Sequence, residues 1–238
     1  IKYYKSSKFT KLYEARNLAI KKAKGEFIAF LDVDDFWSSL KLEKQIKIFY
    51  ANKKLTLVYS DCFIIRNKNQ SKKIFANTKL PTGKITQNLL NFYRMPILTV
   101  LIKKKAFRFK KFNKKYDIIG DFDFFVNLSF KKLIGCVQEP LAYYRIHENN
   151  ISRTKLSLFI KELEDWVTSN RRKKMLKKYS FKGIAVQIQL LKIKKNLLEN
   201  FRIKALLQIL KSPFDIKKIK FLSIIFLPRF FLNKILSL

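Results

Sequence analysis

The chain has 238 residues, 48% of them hydrophobic, which is enough apolar material to bury a core and excludes an intrinsically disordered protein. The formal net charge of +35 fits an anionic partner such as a nucleic acid, an anionic membrane or a phosphorylated substrate. Lysine is far more frequent than arginine. Isoleucine, asparagine and phenylalanine are also abundant, and an AT-rich genome produces the same bias. The sequence carries no recognisable nucleic-acid-binding motif and its lysines are scattered over every segment, so we expect no nucleic-acid partner.

The first elements in chain order are a strand, a helix and a second strand. Residues 2–5 alternate like a strand, the apolar positions of 12–24 recur near helical spacing, and 27–31 form a short apolar run. This order predicts a parallel β-α-β unit whose second strand is central and buried on both faces. Because the chain begins with Ile1 instead of Met and its opening alternates like a strand in mid-fold, we expect an N-terminal truncation.

The rest of the chain divides into a mixed part and a helical part. Up to residue 152 we predict a helix at 38–52, a strand at 55–61, a hairpin of 62–66 and 73–76 around the polar tip 67–71, a short helix at 85–93, a strand at 98–102, a helix from Asp121, and extended segments on both sides of Pro140. Beyond it we predict helices alone, near 155–178, 181–198, 200–210 and 215–236, broken by Gly183, Pro213 and Pro228. The predicted domains are therefore 1–152 and a basic, amphipathic helical region at 153–238.

The two cysteines indicate the redox compartment, and the lengths of the apolar runs bear on whether the chain spans a membrane. Cys62 and Cys136 lie far apart, with no second Cys or His at metal-ligand spacing, so we expect core residues of a reducing compartment. No uninterrupted apolar run reaches the about 18 residues that would span a bilayer.

Three carboxylates, Asp32, Asp34 and Asp35, directly follow the apolar run at 27–31. Neighbouring carboxylates repel and raise one another's pKa values, and a hard divalent cation removes that conflict. Mg²⁺ or Mn²⁺ typically takes one or two carboxylates together with substrate phosphates, and open α/β sheets bind ligands where their strands end. The position therefore predicts a Mg²⁺ or Mn²⁺ site with a nucleoside diphosphate; the alternative is a turn and a helix cap ahead of Ser38.

The segment ARNLAIKKAKGEFIAFLDVDDFWSSLKLEKQI at 15–46 combines an Ala-Arg-Asn helix, a Gly-Glu-aromatic-Ile step, Leu-Asp-x-Asp-Asp and a Leu-x-x-Gln helix. Together with VYSDCFII at 58–65 and YYRIHENNIS at 143–152, it resembles glycosyltransferase family 2 over roughly residues 1–152. The members of this family are inverting enzymes with the nucleotide-diphospho-sugar transferase (GT-A) fold. The resemblance therefore implies an α/β fold with a Rossmann-like mixed sheet flanked by helices, here N-terminally truncated and followed by a helical extension.

The resemblance places four residues at the nucleotide-sugar donor. It implies that Asp34 is the metal ligand that bridges the diphosphate, and that Asp32 contacts the metal and the ribose or donor sugar. Asp35 lies next to both. Arg16 matches the family's arginine near the nucleotide, where a planar guanidinium suits phosphate or base-edge contacts. An ordinary solvated helix residue is the alternative for Arg16.

The resemblance also implies a catalytic base and a residue near the diphosphate. In the family the base is the Asp of a Glu-Asp pair at a helix start, and IIGDFDFFVNLS matches with Asp121, although Gly120 stands in place of the Glu. Asp123 is its nearest rival, and a simple helix cap is the alternative role for Asp121. His147, the only histidine, falls in the segment that closes over the donor diphosphate, so a phosphate or metal-side role is implied; a purely structural role is the alternative.

These roles together imply a metal-dependent inverting glycosyltransferase that moves a sugar from a nucleoside-diphosphate donor to a hydroxyl of a surface glycan or lipid-linked acceptor. The family's first strands, with Pro-x-Tyr-Asn and Asp-Asp-Gly-Ser, have no counterpart in this sequence. One alternative is therefore an inactive remnant that binds a membrane or a partner. Another is a nucleotidyltransferase of the same general fold, which would need a Gly-rich loop and a lysine-based phosphate site that the sequence lacks.

The region 153–238 interleaves Lys and Arg with apolar residues, as in ALLQIL at 205–210 and FLSIIFLPRFFLNKIL at 221–236. Basic amphipathic helices of this kind lie in membrane interfaces and attract anionic lipid, and packing on the catalytic domain gives the same pattern. Because bacterial members of the family often use lipid-linked acceptors, we expect an anionic membrane surface as a further partner. The expected location is cytoplasmic, peripheral at the inner face of the membrane.

Overall fold

The computed structural model describes residues 2–6, 10–66, 72–76, 78–148, 150–211 and 216–236. The chain forms two compact units, the first comprising 1–89 and 93–150 and the second comprising 90–92 and 151–238. Apart from the short segment 90–92, the main chain passes from the first unit to the second at residues 150–151, and the predicted boundary is at 152–153.

Residues up to 150 form helices and strands in alternation. The helices are α1 (Leu12–Lys22), α2 (Lys41–Ala51), α3 (Thr86–Asn91) and α4 (Gly120–Ser129), with 3₁₀ helices at Ile97–Thr99 and Lys104–Arg108. The strands are β1 (Phe27–Ala29), β2 (Phe36–Trp37), β3 (Leu55–Arg66), β4 (Lys72–Ile74), β5 (Leu101–Lys103) and β6 (Leu133–Ile146). The predicted hairpin is confirmed as β3 and β4, while its tip at 67–71 lies outside the described residues.

The described part of residues 151–236 is helical, as predicted. Its helices are α5 (Ile151–Thr154), α6 (Leu156–Arg171), α7 (Lys182–Leu198), α8 (Arg202–Lys211), α9 (Ile216–Ile224) and α10 (Arg229–Leu236), with a 3₁₀ helix at Lys174–Leu176. The predicted break at Pro228 divides 215–236 into two helices, because proline lacks the N–H that a continuous helix requires. Within the described part of the chain, no helix has the length and apolar character needed to cross a membrane.

The six described strands form one mixed sheet in the order β1-β5-β3-β6-β2, with β4 added to β3. The long strands β3 and β6 run parallel, and the other pairs run antiparallel. Pro140 lies within β6 opposite Asp61, where the register shifts on both sides, because proline cannot donate to the ladder. The α/β class with a mixed sheet is therefore confirmed.

The prediction of a central, parallel strand at 27–31 is wrong for the described residues. Residues 2–6 are not a strand, so no β-α-β unit forms through α1, and β1 pairs only with the antiparallel β5. The apolar character of this run comes instead from packing on both faces. Phe27 and Ala29 pack with α2 against β3, whereas Phe30, of opposite parity, meets Phe112 at 5.5 Å between ring centroids.

The centre of the sheet is the best-buried part of the first unit. Leu57, Val58 and Cys62 of β3 are fully buried, which explains the continuous apolar run in this strand. Cys62 and Cys136 are free thiols; Cys62 is buried, as expected of a core residue, whereas Cys136 is half-buried. This rigid centre fixes the strand ends that carry the candidate site.

Candidate active site

The acidic loop, residues 32–35, is held at both ends by the sheet. It leaves β1 and enters β2, and β2 pairs antiparallel with the end of β6, with Phe36 opposite Tyr143. The residues that follow Tyr143 therefore run back alongside the loop. The backbone N–H of Arg145 donates a 2.8 Å hydrogen bond to Asp35, which fastens the loop to β6.

This pairing brings Asp34 and His147 together. Nε2 of His147 lies 2.6 Å from Oδ2 of Asp34, and because an ionised carboxylate only accepts, the ring nitrogen donates. The backbone N–H of His147 donates to Oδ1 of Asn150 at 2.7 Å, which fixes the turn after β6. Two residues that the sequence resemblance places at the diphosphate are thus in direct contact although 113 positions separate them.

Arg16 and Asp32 form a second pair. Nη2 of Arg16 donates to both carboxylate oxygens of Asp32, at 2.8 and 2.9 Å. The Arg16 side chain is only 10% exposed, whereas that of Asp32 is 44% exposed. Arg16 is therefore a mostly buried cation aimed at the acidic loop, which disfavours the alternative of a solvated helix residue.

Asp121 lies in the first turn of α4, between two tyrosines. The Tyr93 hydroxyl donates to its Oδ2 at 3.1 Å, and the Tyr13 hydroxyl lies 3.2 Å from its Oδ1 and 2.6 Å from the carbonyl of Ile118. Burial raises the pKa of Asp121, while the Arg16 charge and both tyrosine hydrogen bonds oppose the rise. Asp121 does not serve as the helix cap, since the capping position is Ile119.

The glycine that replaces the family's Glu has a steric reason. A Cβ on Gly120 would lie 2.5 Å from the ring of Tyr13, closer than real carbon atoms approach. Tyr13 therefore occupies the space that a larger residue at position 120 would need. The departure from the family pattern is coupled to the tyrosine that contacts Asp121.

Asp123, the rival base, is engaged elsewhere. Its side chain is buried, Nζ of Lys110 lies 3.0 Å from its Oδ2, and Nδ2 of Asn127 donates to its Oδ1 at 2.9 Å. A carboxylate that is buried and paired with an ammonium group is poorly placed to accept a substrate proton. The hydrogen bonds described for Asp121 come from tyrosine hydroxyls instead.

The two halves of the site are joined through Arg16. Its guanidinium lies 5.4 Å from the ring centroid of Tyr13, so the pairs Asp32–Arg16 and Tyr13–Asp121 are continuous. Burial, followed by the charges of Asp35, Asp34, Asp121 and Asp32, raises the pKa of Tyr144 to about 12. The charges of all four carboxylates thus raise the pKa of one side chain of β6, Tyr144.

Sequence reasoning missed Tyr13, Tyr93 and Tyr144. Tyr13 precedes Arg16 by three residues, the spacing of neighbours on one helix face, so its position was available from the helix prediction. Tyr93 and Tyr144 reach the site only through long-range pairing, which no local pattern reports.

The acidic loop by itself supplies only some of the ligands that a divalent cation needs. Within the described ranges, no three His, Cys, Asp or Glu side chains converge in a metal-binding group. Burial, with smaller contributions from Asp34 and Asp32, raises the pKa of Asp35 to about 6, so the loop holds repelling carboxylates. Mg²⁺ needs few protein ligands when substrate phosphates complete its shell, so Asp34 and Asp32 with a bound diphosphate form a fitting oxygen donor set.

A cavity of about 610 Å³ lies away from these residues. It is lined by one face of α1 and by the segment from Lys103 to Lys114, and it includes none of the predicted site residues. Burial lowers the pKa of Lys103 at its margin. The cavity therefore does not identify the predicted reaction centre.

Comparison with known proteins identifies the class. Residues 1–119, half of the chain, match the sequence profile of Glycosyl transferase family 2. The chain belongs to glycosyl transferase family 2.

Individual relatives carry related names. An uncharacterized glycosyltransferase of Methanocaldococcus jannaschii is 28% identical over 144 residues, which are 59% of this chain and 50% of that protein. The Escherichia coli UDP-Glc:alpha-D-GlcNAc-diphosphoundecaprenol beta-1,3-glucosyltransferase WfgD is 42% identical over 74 residues, 31% of this chain and 29% of that protein. The crystal structure of S. aureus TarS 1-349 in complex with UDP-GlcNAc aligns with a TM-score of 0.45 and 15% identity, over 91% of this chain and 52% of that one. The chain spans about half the length, or less, of the curated relatives it matches.

Proposed function

We propose that the chain provides the reaction centre of a metal-dependent inverting glycosyltransferase, which moves a sugar from a nucleoside-diphosphate donor to an acceptor hydroxyl. The observation that carries this proposal is the connected group of Asp32, Arg16, Tyr13 and Asp121, with the Asp34–His147 pair beside Asp32 in the same loop. It joins Arg16, the cation proposed for the donor side, to a carboxylate with raised pKa, which matches the family's chemistry.

The donor side is proposed to consist of Arg16, Asp32, Asp34, Asp35 and His147. Asp34 and Asp32 would hold Mg²⁺ or Mn²⁺, and a bound divalent cation would supply positive charge for the leaving diphosphate. Arg16 contributes a fixed positive charge near the phosphates, and Asp32 orients its guanidinium. His147, whose ring nitrogen donates a hydrogen bond to Asp34, is proposed to face the diphosphate.

Asp121 is the proposed catalytic base. Its carboxylate takes the proton of the acceptor hydroxyl while that oxygen forms a bond to the anomeric carbon. The bond from this carbon to the diphosphate oxygen breaks on the opposite face, and the configuration inverts. The raised pKa of Asp121 suits the role, because a base with a pKa nearer the operating pH accepts a proton more readily.

The proposed acceptor is a surface glycan or a lipid-linked saccharide. The name of WfgD specifies a diphosphoundecaprenol-linked sugar as acceptor, and this supports a lipid-linked acceptor here. A cytoplasmic location at the inner face of the membrane follows from that acceptor. The proposal includes no nucleic-acid partner.

The test is turnover of UDP-, GDP- and dTDP-sugars with Mg²⁺ or Mn²⁺, measured on the 238-residue chain and on the longest reading frame that contains it. Asp121→Asn should lower kcat by about 100-fold or more while nucleotide binding persists. Asp34→Asn should abolish the metal-dependent part of nucleotide binding. Glu148→Gln, an exposed carboxylate next to His147, is the matched control and should change neither quantity.

Two results would reject the proposal. If neither protein binds a nucleoside diphosphate with either metal, the carboxylates at 32–35 are structural and the inactive remnant is favoured. If turnover survives Asp121→Asn, another group is the base.

A further inference from the structure

The second unit presents two sets of apolar side chains, and only one of them packs inside it. The packed set includes a buried cluster formed by Ile193, Leu197, Ala205, Ile209, Phe221, Ile224, Ile225 and Leu232. The other set points to solvent, so the internal core of this unit does not account for it.

Helix α8 shows the division most clearly. Ala205 and Ile209 are fully buried on one side of the helix. Ile203, Leu207 and Leu210 are 79%, 52% and 60% exposed, and their spacing of four and three residues places them on one face. α8 is thus apolar on its packed face and again on its solvent face.

Large aromatic side chains extend this exposure to the C-terminal helices. Phe226 is 79% exposed just after α9, and Phe230, in α10, is 73% exposed. Exposed apolar patches mark interaction sites more often than isolated exposed residues do, and on α8 three such residues share one face.

The charge of the same segment selects the partner. Residues 200–236 contain eight basic residues and a single acidic one, Asp215, a net charge of +7. On α8 the exposed Lys204 and Lys211, with the half-buried Arg202, flank the apolar face. Apolar side chains bordered by basic ones match an anionic lipid surface, whose headgroups meet the cations while its acyl boundary accepts the apolar groups.

We propose that the outer face of α8, defined by Ile203, Leu207 and Leu210 with Arg202, Lys204 and Lys211, lies in the interface of an anionic membrane. Phe226 and Phe230 are further exposed aromatic side chains of the same unit. This inference identifies the membrane contact of the proposed function. The biological role of this contact rests on the proposed function, but lipid binding itself is measured without turnover.

The experiment is cosedimentation of the full chain with vesicles of phosphatidylglycerol and phosphatidylcholine, and with vesicles of phosphatidylcholine alone. The wild-type chain should bind the anionic vesicles, and bind them less at high salt, because the headgroup attraction is screened. Ile203→Ser with Leu207→Ser should weaken this binding by tenfold or more. Lys204→Gln with Lys211→Gln should weaken it by roughly fivefold for each charge and flatten the salt dependence.

Matched control variants distinguish binding through this face from nonspecific binding through other exposed apolar residues or through net charge. Leu42→Ser and Tyr50→Ser replace exposed apolar residues of α2 in the first unit, and Lys54→Gln removes an exposed charge there. These variants should bind as the wild type does. The combined fluorescence of Trp37 and of Trp166, which is fully buried in the second unit, reports whether each α8 variant has folded.

The inference is overturned if the wild-type chain ignores anionic vesicles, or if the control variants lose as much binding as the α8 variants. It is also overturned if sedimentation velocity shows a dimer that Ile203→Ser dissociates, since a second copy would then cover the face. A chain that binds vesicles yet transfers no sugar retains the inference and rejects only the proposed function.

Discussion

The Tyr93 hydroxyl donates a hydrogen bond of 3.1 Å to Oδ2 of Asp121. Together with Tyr13 at Oδ1, it favours the ionised carboxylate, while burial favours the neutral acid and sets the direction of the pKa shift. The two tyrosines therefore limit how far the pKa of Asp121 rises. They also fix the carboxylate plane, which orients the proposed base.

Replacing Tyr93 with Phe should raise the pKa of Asp121 further. The variant removes a donor that stabilises the charged form, and a hydrogen bond of about 1 kcal/mol corresponds to a shift of roughly 0.5 to 1 unit. Carbon-13 NMR of the aspartate carboxyl carbons measures the titration directly, with Asp121→Asn identifying the signal. In an active protein, the acidic limb of the pH–rate profile should move upward by the same amount.

Tyr59→Phe is the matched control for this effect. Tyr59 is also buried, but its hydroxyl donates to the backbone carbonyl of Pro81 at 2.7 Å and not to a carboxylate. Its removal should lower stability and leave the pKa of Asp121 unchanged. An Asp121 titration that is the same in Tyr93→Phe and wild type would contradict the proposed positioning role.

Gly120→Ala should destabilise the fold by about 1 to 3 kcal/mol, the usual cost of overpacking. The sign opposes helix propensity, which favours Ala over Gly within a helix, because the new Cβ would lie 2.5 Å from the Tyr13 ring. Urea unfolding measures the change. Gly25→Ala, whose Cβ would meet the Phe27 carbonyl oxygen at 3.3 Å, should cost less, and a Tyr13→Leu background should reduce the cost at Gly120. Equal stability of wild type and Gly120→Ala would rule out the steric explanation.

Much of the secondary structure was predictable, because each element carries its own periodicity. The helical spacing at 12–24 corresponds to α1, and the continuous apolar run at 55–61 corresponds to the buried β3. The order of the strands in the sheet was not predictable. An apolar run such as Phe27–Ala29 is equally compatible with a central strand and with an edge strand packed on both faces. Strand partners depend on contacts that lie far apart in the sequence.

The site was predictable where the chemistry is local and not where it is assembled by the fold. The three aspartates of the acidic loop lie within four positions and are recognisable as a group, and Arg16 lies in the helix that precedes β1. The contact of Asp34 with His147 and the bond of Tyr93 to Asp121 join residues 113 and 28 positions apart. The occupant of the space beside Gly120 is a tyrosine 107 positions earlier, so the glycine looks like an isolated departure in the sequence.

Arg16→Gln should weaken binding of a nucleoside diphosphate by about tenfold or more, the worth of a charge-assisted hydrogen bond. It should also raise the pKa of Asp121, because the Arg16 charge opposes the effect of burial on that group. Calorimetry with UDP measures the first effect and the carboxyl titration measures the second. Lys21→Gln, an exposed residue of the same helix, should change neither. If Arg16→Gln binds UDP like wild type, Arg16 does not contact the donor.

A buried lysine gives the fold a pH dependence of its own. Lys41 is fully buried in α2, where its ammonium donates to Oε1 of Gln45 at 2.8 Å and lies 4.5 Å from the ring centroid of Trp37. Gln45 in turn donates to the backbone carbonyls of Val58 at 3.1 Å and Thr99 at 2.8 Å, which ties α2 to the sheet. Burial lowers the pKa of Lys41 to about 7.

The free energy of unfolding should therefore rise with pH above about 7, the folded-state pKa of Lys41. Between this pH and the ordinary pKa of lysine, the unfolded chain binds a proton that the folded chain lacks, which stabilises the fold by up to about 1.4 kcal/mol per pH unit. Urea unfolding of Lys41→Met from pH 6 to 9 should lack this component, so the difference in stability between wild type and variant grows with pH. Lys47→Met, an exposed residue of the same helix, should retain the wild-type slope. Parallel curves for wild type and Lys41→Met would mean that Lys41 remains charged in the folded chain, with Gln45 and the Trp37 ring compensating for its burial.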